Sequence, residues 1–119
     1  MTIKRFETGP RMSQAVVHSG TVYVAGQVAK GATVKDQTTA ILKQIDSLLA
    51  AAGTDKSKLL SATIWLVNVS SFAEMNSVWD AWVSPGNTPA RACVESKLVA
   101  ADYLVEIACV CAVCRRTLP

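Results

Sequence analysis

Val105-Glu106-Ile107-Ala108-Cys109-Val110-Cys111-Ala112-Val113 is the stretch whose reading decides the fold. In an extended strand successive side chains point to opposite faces of the sheet. Val105, Ile107, Cys109, Cys111 and Val113 therefore share one face, and Glu106, Ala108, Val110 and Ala112 share the other. Both sets are apolar, Glu106 excepted. A strand that is greasy front and back belongs in the interior of a sheet with both faces covered. The segment 58–67 has the same two-sided character, with Trp65 and Val67 opposite Leu60, Ile64 and Leu66.

Working outward, strands are expected at 3–6, 14–18 and 21–25, the last two forming a hairpin around Ser19-Gly20, with Gly26 ending its second arm. Ile41, Ile45, Leu48, Leu49 and Ala52 recur on one helical face, with Asp36 as the expected cap and Gly53 at the close. Ser71-Phe72-Ala73-Glu74 fits a capping box. Phe72, Met75, Trp79 and Trp82 then fall at helical spacing and read as core packing rather than a cofactor box. The turn residues of 84–89 predict a loop, and 91–96 and 103–113 the last strands. The order β-β-β-α-β-α-β-β predicts one α+β domain over 1–119, with a mixed six-stranded sheet. Right-handed crossovers put both helices on one face. Two helices cover one side. The bare side needs another cover, and in a chain of 119 residues that cover is expected to be a second copy, a homo-oligomer.

Composition narrows the function. Half the residues are apolar, so the chain folds rather than staying disordered. The net charge of +3 is spread without a basic stripe or interleaved aromatics, which speaks against nucleic acid. No apolar run is long enough to span a bilayer and 1–7 lacks a signal-like core, so a cytoplasmic location is expected and no membrane partner. Cys93, Cys109, Cys111 and Cys114 are expected as thiols. Cys109 and Cys111 alternate as in a strand and no histidine follows, so buried free thiols are favoured over a metal site. No phosphate loop or dinucleotide fingerprint signals a cofactor. His18 precedes a turn and reads as a solvated residue.

The chemistry concentrates at two strands. Pro89-Ala90-Arg91-Ala92-Cys93-Val94-Glu95 carries an arginine, and Leu104-Val105-Glu106-Ile107 a glutamate, among apolar neighbours. Ionic groups there are costly unless paired or used. Arg91 can hold a carboxylate with its two-pronged fork, and Glu106 can hold or activate water. If the two strands form a hairpin, Cys93 lies opposite Glu106 with Arg91 diagonal to it. That hairpin would make a pocket of guanidinium, carboxylate and thiol. A structural ion pair at a subunit interface is the alternative reading of Arg91 and Glu106, and a nucleophilic Cys93 a second-choice mechanism.

At these residues the chain resembles the Rid family (reactive intermediate deaminases, also called the YjgF family). Supporting stretches are Ser13-Gln14-Ala15-Val16, Val24-Ala25-Gly26-Gln27-Val28 and Ser71-Phe72-Ala73-Glu74-Met75-Asn76. The resemblance implies a chorismate-mutase-like fold assembled as a homotrimer with clefts between subunits. It implies hydrolysis of reactive enamines and imines, such as 2-aminoacrylate, to 2-keto acids and ammonia, without metal or cofactor. By residue match, Arg91 would clamp the substrate carboxylate and Glu106 would orient water and move protons. Cys93, Gly26 and Asn76 would line or support the pocket. Met12 stands where the family has a pocket tyrosine, Ala25 where a serine is common, Val99 where a proline is usual, and Ala108 where a second glutamate is found. The alternative function is a non-catalytic trimer binding small carboxylates or partner proteins. Ribonuclease activity, attached to some members, is disfavoured by the weak basicity.

Overall fold

The computed structural model describes residues 2–113. Six strands and two helices follow in the order β1 (Lys4–Thr8), β2 (Ser13–His18), β3 (Thr21–Gln27), α1 (Val34–Ala51), β4 (Leu59–Leu66), α2 (Phe72–Trp82), β5 (Ala90–Glu95) and β6 (Val105–Ala112). They build one sheet in the spatial order β1-β2-β3-β6-β4-β5. Only β4 and β5 run parallel. Every other neighbouring pair is antiparallel. The mixed six-stranded α+β sheet expected from the element order is therefore present.

The β2–β3 hairpin turns where expected. His18 pairs with Thr21 across Ser19 and Gly20, whose φ values of 53° and 79° are those of a two-residue turn that matches strand twist. Helix α1 differs at its start. Thr33, still extended, accepts from the Asp36 N–H at 3.1 Å, so Thr33 is the cap and Asp36 lies within the first turn. At the other end Gly53, with φ 88°, donates to the Ala50 carbonyl while Thr54 donates to Leu49. This paired closure needs a left-handed residue after the helix.

The capping box at 71–74 does not form. A 3-10 turn, Val69–Ser71, leads into α2 and holds Ser71 near helical geometry, and its hydroxyl donates to the Asn68 carbonyl at 2.8 Å. Glu74 instead accepts from the Lys35 N–H at 2.8 Å. That carboxylate satisfies one of the open amides at the start of α1 and ties the two helices together.

The core lies between the helices and one face of the sheet. Val22, Val24, Ala62, Ile64, Val105, Ile107, Cys109 and Cys111 point into it from the strands. Ile41, Leu42, Ile45 and Leu49 meet them from α1, and Met75 and Trp79 from α2. Phe72 was expected in this core and is exposed. A register shift between Leu59 and Ser61 in β4 turns Leu59 inward and leaves Leu60 half exposed, reversing the expected placing of Leu60. Gln37 is fully buried. Its amide donates to the Gly31 and Asp102 carbonyls and accepts from the Leu104 N–H, which anchors the chain entering β6.

Among the described residues no helix covers the other face. In-register rows run Val16, Tyr23, Val110 and Ser61, then Ala108, Thr63 and Ala92, then Glu106, Trp65 and Val94. Tyr23 and Val94 are about half exposed there. No helix among the described residues is long and apolar enough to cross a membrane.

Cys93, Cys109 and Cys111 are free thiols, and Cys114 lies outside the described residues. Burial, reinforced by Cys111, pushes the Cys109 thiol up to about 12 from its ordinary 9.0. The folded state thus favours the neutral thiol. Its contribution is complete below pH 9 and is lost as pH climbs toward 12, at about 1.4 kcal/mol per pH unit. Denaturant titrations at pH 8 and 10.5 should show wild type losing more stability than Cys109→Ala across that interval. Equal losses would reject the assignment.

Candidate active site

Arg91 sits on β5, a sheet edge, in register with Ala62 on β4, and so projects from the helix-bearing face. There it meets one side of α2. Phe72, Asn76 and Trp79 recur at spacings of four and three and therefore share a helical face. An Arg91 Nη1–H donates to Asn76 Oδ1 at 2.8 Å. The guanidinium carbon lies 5.2 Å from the Trp79 ring centre and 5.7 Å from that of Phe72. These contacts fix the plane of the fork by cation–π attraction and one hydrogen bond. Arg91 is exposed, and no carboxylate is paired with it among the described residues. Its other donors have no hydrogen bond among the described residues, which leaves them available to a carboxylate. Cys93 lies two residues along on the same face, half-buried. Burial raises its thiol by more than the Arg91 charge lowers it, so Cys93 is a neutral thiol at physiological pH rather than an activated nucleophile.

Glu106 belongs to the opposite face, in the row with Trp65 and Val94. Strand β3 breaks register between Val24 and Gln27, and Gly26 lies in that break. A Cβ on Gly26 would come within 1.9 Å of Glu106 Oε2. The glutamate carboxylate thus occupies the space that any other residue at 26 would fill. Glu106 and Gly26 line a cavity of about 600 Å³ together with Met12, Gln14, Gln44 and Val99. Met12 and Val99 are exposed apolar side chains in its wall.

The expected β5–β6 hairpin is not formed. Strand β4 lies between the two, so Cys93 shares a row with Ile64 and Ile107, whereas Glu106 shares one with Trp65 and Val94. The fold brings together Arg91, Cys93 and Asn76 on one side, and Met12, Gly26 and Glu106 on the other. It does not unite the two groups within one chain, and a structural Arg91–Glu106 ion pair within the chain is excluded by the same geometry. His18 is exposed at the end of β2 and is absent from the cavity wall. Among the described residues no cluster of three histidine, cysteine or acidic side chains could hold a metal.

Two features were not read from the sequence. Phe72 and Trp79 serve Arg91 as well as, for Trp79, the core. The helical spacing of Phe72, Asn76 and Trp79 was the available signal. Three glutamines, Gln14, Gln27 and Gln44, join across β2, β3 and α1 at the cavity wall. Their signal was a polar residue, Gln44, set on the apolar helix face between Ile41 and Leu48.

The family model described as Endoribonuclease L-PSP matches residues 2–113. The RutC family protein YoaB of Escherichia coli is 42% identical over 114 residues, covering 95% of this chain and 100% of that one. A YjgF-family crystal structure from Neisseria meningitidis superimposes with a TM-score of 0.94 at 44% identity, covering 97% of this chain and 98% of the other. A Rid-family structure from Yersinia pestis gives a TM-score of 0.88 at 28% identity over 94% of this chain and 100% of its own. A match of this length, through every strand and both helices, places the chain in the Rid (YjgF) family.

Proposed function

We propose that the protein hydrolyses reactive enamines and imines of small 2-amino acids, such as 2-aminoacrylate, to 2-keto acids and ammonia, in clefts shared by copies of the chain. The observation that carries this reading is the separation of Arg91 from Glu106 onto opposite faces of one sheet. A guanidinium without a carboxylate partner and a carboxylate beside an open cavity are two halves of a site for a small anionic molecule. A second copy laid on the bare sheet face would supply the missing half and cover Tyr23, Trp65 and Val94. A homotrimer with one cleft per interface closes that arrangement.

In the proposed cleft, Arg91 of one copy, steadied by Asn76, binds the substrate carboxylate and sets C2 against the neighbour's Glu106. The enamine first tautomerises to the imine. Glu106 accepts a proton as water adds to C2, forming a carbon–oxygen bond while the C=N π electrons move to nitrogen. Glu106 returns that proton to nitrogen, giving a carbinolamine, then takes the hydroxyl proton and passes it to nitrogen, so that the C–N bond breaks, ammonia leaves and the C2 carbonyl forms. The intrinsic reaction is easy, so orientation and proton transfer suffice. Cys93 would line the pocket as a neutral group. The replacement of the family tyrosine by Met12 leaves an apolar, flexible wall at that point.

The description carried by the family model raises ribonuclease as a second reading. The single histidine, His18, is remote from the cavity, and no aromatic platform accompanies a basic stripe. Incubation of homogeneous protein with RNA should leave it intact.

Ammonia release from freshly generated imines tests the main reading. Arg91→Ala should raise KM by roughly 10–100-fold, the loss of a charge-assisted contact. Glu106→Gln should lower kcat by roughly 10²–10⁴-fold. At a substrate concentration well below KM, where each variant alone is nearly inactive, co-refolding the two in equal amounts should restore about a quarter of wild-type activity, because that share of random interfaces pairs an intact Arg91 with an intact Glu106. Two variants that stay inactive together would refute the shared cleft. Cys93→Ala should keep kcat within about threefold of wild type, and a loss as deep as that of Glu106→Gln would restore the covalent alternative.

A further inference from the structure

The three glutamines at the cavity wall are not interchangeable in orientation. The Gln44 amide nitrogen lies 3.3 Å from the Val28 carbonyl and 3.0 Å from Gln27 Oε1. The Gln27 nitrogen lies 3.0 Å from the Ala25 carbonyl and 2.9 Å from Gln14 Oε1. A backbone carbonyl only accepts. Val28 and Ala25 therefore dictate that Gln44 and Gln27 turn their nitrogens toward them. With both Gln27 hydrogens committed and its oxygen taken by Gln44, only an acceptor can meet it from β2. Gln14 must direct its oxygen inward. Its NH₂ group is left with no hydrogen bond among the described residues, in the wall that also carries Glu106 and Gly26.

We infer that Gln14 is a specificity-determining donor. Its amide, held in one orientation by Gln27 and Gln44, selects substrates whose side chain carries an acceptor oxygen close to C2. This rests on the proposed carboxylate-binding cleft. With the carboxylate on Arg91 and C2 facing Glu106, the substrate side chain is what remains to be read by the cavity wall. Met12 and Val99 offer that side chain no hydrogen bond. Gln14 offers a donor whose acceptor end is already committed, so it cannot flip to suit an apolar or donor-only group. A site with a fixed donor leaves that donor unpaired when an apolar isostere binds, and so discriminates against it.

The test compares two keto acids of nearly equal size, 3-hydroxypyruvate and 2-oxobutanoate, which differ by a hydroxyl in place of a methyl. Calorimetric titration of the assembled wild-type protein should show the hydroxy acid binding roughly three- to tenfold more tightly. Gln14→Met, similar in length but without a donor, should bind the two alike while retaining 2-oxobutanoate within about threefold. Any bond from the hydroxyl to Glu106 survives in that variant, so the lost preference reports the amide alone. Equal wild-type affinities, or a Gln14→Met variant that weakens both ligands equally, would overturn the inference. So would a wild type that binds neither.

Ammonia release from the two matching imines separates this inference from the reading beneath it. A binding preference without hydrolysis of either imine would leave Gln14 as the selector and remove the deaminase. Hydrolysis of both imines at equal kcat/KM would keep the deaminase and remove the selector.

Discussion

The pleat of a β-strand is the constraint from which the rest of this molecule follows. Side chains leave a strand on alternate sides and cannot cross the sheet. Once β4 lies between β5 and β6, in-register pairing puts Arg91 in the row of Ala62 and Cys109, and Glu106 in the row of Trp65 and Val94. One is committed to the helix side and the other to the bare side. No rotamer reconciles them. The sheet that stabilises the chain is thus also what divides its polar groups, and it leaves an apolar face beside Glu106 without a helix over it among the described residues.

The helices serve the site as much as the core. Helix α2 gives Met75 and Trp79 to the interior and presents Asn76 and the face of the Trp79 ring to Arg91. Helix α1 buries Ile41, Ile45 and Leu48, and sends Gln44 between them to the cavity. The Glu74 carboxylate at the Lys35 N–H couples the two helices, so the Arg91 cradle and the cavity wall are referenced to one rigid layer. The guanidinium and the amide chain are both oriented by groups already satisfied within the fold. Little ordering is left for a ligand to impose, and preorganisation of this kind favours affinity.

Most of the fold was legible because the sequence writes it in short-range code. The period of two in 105–113, the Ser19-Gly20 turn and the helical spacing of Ile41, Ile45 and Leu49 each need only near neighbours to be read. Strand order is different. Strands β5 and β6 are close in sequence and invite a hairpin, since consecutive strands usually pair. What prevents it is the fit of β4 between them, with Ile64 matched to both Cys93 and Ile107, and that is a property of three segments at once. Ser71 and Glu74 also show local code being overruled. The motif has the right letters, yet the preceding 3-10 turn takes Ser71, and a helix 39 residues upstream in the chain takes Glu74. At the site, Arg91 and Glu106 each stand out one residue at a time, as ionic groups among apolar neighbours, whereas their separation does not. The glutamine chain was hidden because its members lie far apart in sequence and no one of them is unusual alone.

Gly26 and Glu106 have a bearing on how sequences of this kind can drift. The carboxylate of one fills the volume that the missing Cβ of the other leaves open. The two positions are coupled: an alanine at 26 would make the Glu106 carboxylate leave the place it now holds, whereas the glycine lets it stay. The two sites are a single evolutionary character spread over eighty positions of polypeptide. A lineage that exchanged the acid for something smaller would be free to lose the glycine, and its co-variation would record the day the pocket changed its work.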